Sequence, residues 1–151
     1  MNDLDGGGPK GGFAKLVPEL HVNDLEVSLK FWRDVCGFEI VYQREEERFV
    51  FLEQRGAQIM LCQRHGRYET GSMMPPLGQG AMFQIYLESI VTILSRLKAR
   101  DWPLYEEPRE KWYRVGTNER GLRQFFVQDP DGYLIMFAQS LGTRSFPTSS
   151  Q

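Results

Sequence analysis

Cysteine and histidine are scarce in this chain, and long apolar runs are missing. Among 151 residues there are two cysteines and two histidines, so a fold stapled by disulfides is not expected. No apolar stretch approaches the roughly 20 residues that a membrane-spanning helix needs. The first residues also lack the apolar core of a signal peptide. These absences predict a reduced, cytoplasmic protein with no membrane partner.

An excess of either charge sign is missing as well. The net charge is -2 and the sequence pI is about 5.7, so no nucleic-acid partner is expected. Hydrophobic residues make up 41% of the chain, which is ordinary for a globular protein. The length suits one domain or two small modules.

A pattern of one strand, one helix and three strands occurs twice. The first copy places strands at 15–22, 38–43, 48–54 and 57–63, with a helix over 25–35 that Asn23 or Asp24 caps and Gly37 ends. The second copy places strands at 81–88, near 104–105, at 122–128 and at 133–139, with a helix over 90–97 and a loop over about 107–121. The DPDG segment, 129–132, is typical of a type I turn that closes a hairpin.

The repeat predicts an α+β fold of tandem βαβββ modules that form a cupped mixed sheet with a central cleft. The first module covers residues 15–63 and the second 81–140, joined by a linker at 64–80. Residues 1–14 are expected to be disordered and residues 141–151 to form a flexible tail.

Alternation along the strands predicts which side chains face the cleft. In the first copy, the apolar strand residues are expected to pack under the helix, so Glu19, His21 and Met60 lie on the opposite face of the sheet. The second copy gives an equivalent set. A mostly apolar, aromatic cleft with a few polar groups is typical of a small-molecule site. The predicted ligand-binding residues are Glu19, His21, Phe51, Met60, Met82, Gln84, Tyr86, Trp112, Tyr113, Phe126 and Met136.

Three stretches resemble the glyoxalase/bleomycin-resistance/dioxygenase family, also called the vicinal oxygen chelate superfamily. They are VNDLEVSLKFWRDVCGFEIVYQ, RFVFLEQRGAQIMLCQ and RQFFVQDPDGYLIMFAQ, and the resemblance covers residues 15–140. It implies tandem βαβββ modules and a homodimer. In metal-using members it also implies a divalent ion held by one His, Gln or Glu from each of four strands.

The four metal-binding positions of that family fall on Val17, Met60, Met82 and Met136. All four are apolar, and a thioether is a poor ligand for magnesium, manganese or zinc. The resemblance therefore implies no metal at the family site and no cofactor. It is strongest to the metal-free bleomycin-resistance proteins, which sequester an antibiotic without chemistry.

The function predicted on this basis is the binding of an aromatic or heterocyclic small molecule in an apolar cleft, at or near a dimer interface. Flexible methionines adapt to irregular ligands, Trp112 and Tyr113 could form a stacking wall, and Glu19 could face a cation. Antibiotic-binding members often carry Trp where this chain has Arg120, before Gly121. A planar or anionic ligand is therefore the alternative to a cationic antibiotic.

Two other functions stay open. One is a lyase, isomerase or dioxygenase of the same superfamily, with a relocated metal held by Glu19, His21 and Gln84. The other is an interaction module with a vestigial cleft. His65 is expected to be a surface residue in a charged linker, and Cys62 a packed thiol.

Overall fold

The computed structural model of the protein describes residues 7–147, which form two four-stranded sheets. The first sheet contains β1 (Glu19–Val22), β2 (Glu39–Arg44), β3 (Phe49–Gln54) and β4 (Ala57–Gln63). The second contains β5 (Met82–Leu87), β6 (Glu106–Val115), β7 (Asn118–Gln128) and β8 (Leu134–Ser145). Their strand orders, β1-β4-β3-β2 and β5-β8-β7-β6, are the same. The predicted α+β fold of tandem βαβββ modules is confirmed.

Each sheet belongs to its own compact unit. Unit one comprises the residues up to Leu77 together with Asp129–Asp131, and unit two comprises Gly78–Gln128 with the residues from Gly132 onward. In both units the first and last strands pair in parallel, and the remaining neighbours pair antiparallel. Within residues 7–147, no helix has the length and apolar character needed to cross a membrane.

The helix of unit one changes its winding halfway. It begins as α1 (Leu25–Leu29) and continues as a π-helical turn over Lys30–Val35. Asp24 is the N-cap, because its carboxylate accepts from the backbone N–H groups of the first turn at 3.0 and 3.3 Å. Gly37 follows with a φ of +84°, a left-handed conformation that glycine adopts without strain. The predicted cap and helix end are both confirmed.

Trp32 anchors this helix in the core of unit one. Its side chain is completely buried, and its indole N–H donates to the Asp129 carboxylate at 3.1 Å. The neighbouring Asp131 carboxylate accepts from the Asn23 side chain at 2.7 Å. The two acidic residues of the DPDG segment therefore hold the start and middle of the helix, in addition to turning the chain.

The helix of unit two, α2 (Val91–Ala99), buries Ile93 and Leu97. The core on its side of the sheet contains Phe125 and Phe137, whose ring centroids lie 5.6 Å apart. The Gln139 side chain accepts from the backbone N–H of Ile90 at 3.2 Å, just before the helix starts.

The predicted loop over 107–121 is wrong, because these residues form most of a long hairpin. Strands β6 and β7 pair from Glu106 to Val115 and turn through two residues, of which Gly116 has a φ of +62°. Six of the ten residues of β6 are charged, and the strand lies at the sheet edge. Pairing there depends on backbone hydrogen bonds, and charge protects such an edge from further pairing. The sequence of β6 therefore lacks the alternation of apolar and polar residues that predicts a strand.

The ends of the described chain also take part in the two units. Strand β8 continues to Ser145, which pairs with Asn118, so the second module extends past residue 140. At the other end, residues 7–14 fall within the segment predicted to be disordered, while residues 1–6 lie outside the described residues. The Ala14 N–H donates to the Gln58 side chain at 2.7 Å. The Phe13 ring lies edge-on to Phe51 at 5.4 Å.

Candidate functional sites

Equivalent positions of the two sheets carry different side chains. In unit one, Glu19 pairs with Met60, and His21 pairs with Cys62. In unit two, the corresponding pairs are Gln84 with Met136 and Tyr86 with Ala138. Because residues two apart on a strand share a face, each unit presents a four-residue patch away from its helix.

The patch of unit two opens onto a cavity of about 310 Å³, called here the unit-two cavity. Six residues predicted to bind ligand lie together in its wall, and three further residues complete the lining. The predicted residues are Met82, Gln84, Tyr86, Tyr113, Phe126 and Met136; the further residues are Val115, Arg120 and Leu122. Alternation along β5 and β8 predicts the face of four of these nine residues, Met82, Gln84, Tyr86 and Met136; Val115, Arg120 and Leu122 were not predicted.

Arg120 and Tyr113 provide polar groups in the wall of the unit-two cavity. The Arg120 guanidinium carbon lies 4.8 Å from the centre of the Tyr86 ring. The Tyr113 hydroxyl donates to the Gln124 side-chain carbonyl at 2.8 Å. Gln124 is only 1% exposed, and its amide nitrogen has no hydrogen-bond partner among residues 7–147. Gln124 is not part of the cavity lining, so it acts on the cavity through Tyr113, whose hydroxyl it holds in place.

Trp112 does not line the unit-two cavity. It belongs to β6 rather than to a loop, and it points to the face opposite its neighbour Tyr113. The Arg144 guanidinium lies 4.0 Å from its ring centre. A methyl group added at Gly121 would meet the Trp112 ring at 2.7 Å. The glycine therefore provides the space that this indole occupies.

The apolar part of the unit-one patch is largely filled by side chains of the same unit. Phe49, Phe51 and Cys62 form a buried cluster, against which Val17, Val41, Tyr42 and Met60 pack. The Tyr42 and Phe51 rings stack with centroids 5.1 Å apart, and Phe13 lies over both. Predicted residues Phe51 and Met60 are thus in this cluster, packed against protein.

The polar part of the unit-one patch brings two histidines together. The Glu19 carboxylate and the His21 Nε2 atom are 2.8 Å apart. The His21 and His65 ring centroids are 4.8 Å apart, and Tyr68 packs against both rings. One donor atom from each of His21, Cys62 and His65 lies within 4.8 Å of the other two. His65 is exposed, as expected, but its position beside His21 was not predicted.

A second cavity, called here the unit-one cavity, lies at this cluster. It has a volume of about 450 Å³ and is lined by Glu19, Arg44, Glu46, Glu47, Phe49, Cys62, His65, Arg67 and Tyr68. Burial raises the pKa of the Cys62 thiol. The Glu19 and Glu47 carboxylates act in the same direction, and the Arg44 guanidinium opposes them. The thiol is therefore neutral at pH 7 and is a weak nucleophile there.

The residues at the four metal-binding positions of the resembled family do not fit an ion. Met136 is 3% exposed and packs with Leu122 and Ala138, while Met60 packs against the Phe51 cluster. Val17 and Met82 likewise offer no oxygen or nitrogen side-chain donor. A divalent ion held by such donors has no ligands at these positions.

Comparison with known proteins supports this assignment of the fold. The family model of the Glyoxalase/Bleomycin resistance protein/Dioxygenase superfamily matches residues 15–137. A relative described as a probable lactoylglutathione lyase, from Vibrio parahaemolyticus, is 26% identical over an alignment of 132 positions, and the alignment covers 80% of this chain and 86% of the relative.

Solved structures show the same fold at lower identity. The structure of TioX from a Micromonospora species is 22% identical, with a TM-score of 0.63, and the alignment covers 85% of this chain and all of that one (100%). A lactoylglutathione lyase from Agrobacterium tumefaciens is 20% identical, with a TM-score of 0.55, and coverage is 86% and 96%. The chain belongs to the glyoxalase/bleomycin resistance protein/dioxygenase superfamily.

Proposed function

We propose that the protein binds a planar aromatic or heterocyclic small molecule in the unit-two cavity and sequesters it without bond-making chemistry. The observation that carries this proposal is the cavity lining, in which Met82 and Met136 stand at metal-binding positions of the family. The volume of about 310 Å³ is at the lower end of the range for small-molecule sites. Thioether side chains adapt to irregular flat ligands but do not activate them.

Burial of apolar ligand surface supplies most of the affinity. A planar ligand that loses about 200 Å² of apolar surface to the cavity gains about 5 kcal/mol, before the costs of ordering are subtracted. Tyr86 and Phe126 offer ring faces for stacking. Tyr86 is 46% exposed in the described chain, so ligand binding would cover a large apolar surface.

The polar groups point to an anionic or acceptor-bearing ligand. Arg120 is the charged residue in the lining, and it would repel a cationic antibiotic. A carboxylate on the ligand would pair with its guanidinium in a charge-assisted hydrogen bond. An antibiotic with an aromatic carboxylate belongs to this class.

A matched pair of probes tests this proposal. Naphthoate and naphthylmethylammonium have the same ring system and opposite charges, and calorimetric titration of each into the full chain gives its dissociation constant. The proposal predicts saturable binding of naphthoate, at least about tenfold tighter than the cation. Equal affinities, or tighter binding of the cation, would remove the assigned role of Arg120. Failure of both probes to bind would contradict a planar-ligand site.

The enzymatic alternative is carried by the description of the Vibrio relative and by the Glu19–His21 pair. Its proposed third ligand, Gln84, belongs to unit two, whereas Glu19 and His21 belong to unit one. The direct test is an assay for lactoylglutathione lyase with zinc or magnesium added. Turnover that is lost in Glu19→Gln would replace sequestration as the function.

A further inference from the structure

Both histidines and one of the two cysteines of this chain meet in unit one. One donor atom from each of His21, Cys62 and His65 lies within 4.8 Å of the other two. The sequence contains two histidines and two cysteines, so three of its four imidazole and thiol groups lie in one cluster. Two nitrogen donors and one sulfur donor are a set that binds zinc-type ions.

We propose that His21, Cys62 and His65 bind one divalent transition-metal ion of the zinc type, with a fourth coordination position open to the unit-one cavity. None of the three residues stands at a metal-binding position of the family. The proposal is therefore separate from ligand binding in the unit-two cavity. It revises the expectation of a protein without metal, because that expectation rested on the family positions alone.

The fold already holds two of the three ligands in place. His21 and Cys62 are register partners on the parallel strands β1 and β4, and they are 7% and 5% exposed. A tetrahedral zinc site with bonds of about 2.0–2.3 Å places its ligand atoms about 3.5 Å apart. The cluster must therefore close by about an ångström, and the exposed His65 side chain is able to make that movement.

One hydrogen bond competes with the ion at His65. Its Nδ1 atom accepts from the backbone N–H of Arg67 at 3.1 Å, and an ion bound at that nitrogen would replace this bond. The segment itself stays close to the sheet, because the Arg64 backbone N–H donates to the Val22 carbonyl at 2.9 Å. The Arg64 side chain also pairs with Glu69. His65 thus lies on an anchored segment.

Glu19 is a positioning residue in this site. A carboxylate accepts, so the His21 Nε2–H donates to Glu19 across 2.8 Å, and an ion would bind the other ring nitrogen, Nδ1. Metal-binding histidines usually donate their other ring N–H to a carboxylate or carbonyl, which fixes the tautomer. The Glu19–His21 pair has this arrangement without belonging to the family site.

The chemistry of Cys62 sets the choice of ion. Its Sγ atom lies 3.7 Å from the Glu47 carbonyl and 3.6 Å from the Gln63 carbonyl, so the thiol is placed as a weak donor. On binding, the thiol loses its proton to solvent and a metal–sulfur bond forms. Thiolate and imidazole select zinc, cobalt or copper over magnesium and calcium.

Cobalt titration of the full chain, purified without nickel resin and stripped with a chelator, tests the proposal. Cobalt binding is expected to saturate at about one ion per chain, with a thiolate-to-cobalt charge-transfer absorption that zinc removes by displacement and magnesium leaves unchanged. Absence of saturable cobalt binding would overturn the site.

Variants assign the ligands. Cys62→Ser should abolish the charge-transfer absorption, whereas Cys36→Ala, a change at the other cysteine, should retain it. His65→Ala changes an exposed residue, so folding is not at stake, and it should weaken cobalt binding at least about tenfold. An unchanged spectrum in Cys62→Ser, or unchanged affinity in His65→Ala, would contradict the proposal. Neither result bears on naphthoate binding, which is measured at the other unit.

Discussion

Units one and two share a strand order and a parallel register, yet their equivalent patches have different chemistry. Unit one presents Glu19, His21 and Cys62, whereas unit two presents Gln84, Tyr86 and Ala138 at the matching positions. In unit one the apolar part of the patch is filled by aromatic side chains of the same unit, including Phe13. In unit two the equivalent surface borders a cavity.

The same strand arrangement in the two units therefore carries different side-chain chemistry on the face away from the helix. Strand pairing and the helix-side cores depend on backbone hydrogen bonds and on inward apolar residues, and both units have these. The residues on the other face lie outside those helix-side cores, so their chemistry can differ between the units while the strand framework is kept. Function in this superfamily member must therefore be argued unit by unit.

The largest effect is expected when Met136, at a metal-binding position of the family, is replaced by Glu, which is one of the ligand types of that family. Met136→Glu should lower the free energy of unfolding by about 3 kcal/mol, because a carboxylate would be buried beside the apolar Leu122 and Ala138. Met60→Glu should cost less, since Met60 is only half-buried. Urea denaturation measures both values.

Met136→Leu is the control for that test. It keeps the volume and the apolar character, so its cost should stay below about 1.5 kcal/mol. If Met136→Glu proved as stable as Met136→Leu, Met136 would not be the buried, apolar-packed residue that the structure shows.

Two indoles that donate hydrogen bonds, the buried Trp32 and the half-buried Trp102, give the second test. Trp32→Phe in unit one should cost about 2 kcal/mol, because it removes a donor from the buried Asp129 carboxylate. Trp102→Phe in unit two should cost about 1 kcal/mol, because its indole donates to the neutral Gln128 carbonyl at 3.0 Å. Denaturation of both variants checks the order, and a larger loss at Trp102 would contradict it.

The third test concerns ligand binding in unit two. Arg120→Ala should weaken naphthoate binding about tenfold, which corresponds to about 1.4 kcal/mol. Arg123→Ala removes an exposed arginine three residues along the same strand, outside the lining, and should leave the affinity unchanged. Calorimetric titration compares them, and equal losses would mean that only the overall charge matters.

The smallest expected effect is at Phe13. Phe13→Ala removes edge-on contacts with Phe51 and Tyr42 at 5.4 and 6.3 Å. Because Phe13 is 60% exposed, the loss should be about 1 kcal/mol. Lys15→Ala, in the same segment, should change the unfolding free energy by less than about 0.5 kcal/mol. No difference between the two variants would show that Phe13 does not fill the unit-one patch.

Much of the fold could be predicted because β4, β5 and the start of β8 alternate strictly between apolar core residues and patch residues. Strand β4 was predicted with its observed limits, Ala57–Gln63, and Met82, Gln84 and Tyr86 were placed on the cavity face. Tyr113 was predicted to bind ligand, although the hairpin that carries it was not recognised.

The rest depends on contacts that a single strand pattern does not contain. Strand β6 is rich in charged residues and pairs through its backbone, so its sequence resembled that of a loop. Because the strand was not recognised, the face of the sheet on which Trp112 lies could not be predicted. His65 lies outside any strand and reaches His21 only because β1 and β4 pair in parallel. The scarcity of histidine and cysteine was a signal, but the strand register was needed to interpret it.

The proposed function requires that the unit-two cavity bind a planar anion while the equivalent patch of unit one does not. Titration of naphthoate into the full chain, followed residue by residue in amide proton–nitrogen correlation spectra, tests it most directly. Shifts are expected to saturate at Tyr86, Arg120, Leu122 and their neighbours on β5 to β8. Shifts centred on Phe51 and Cys62, with the β5–β8 signals unchanged, would contradict it.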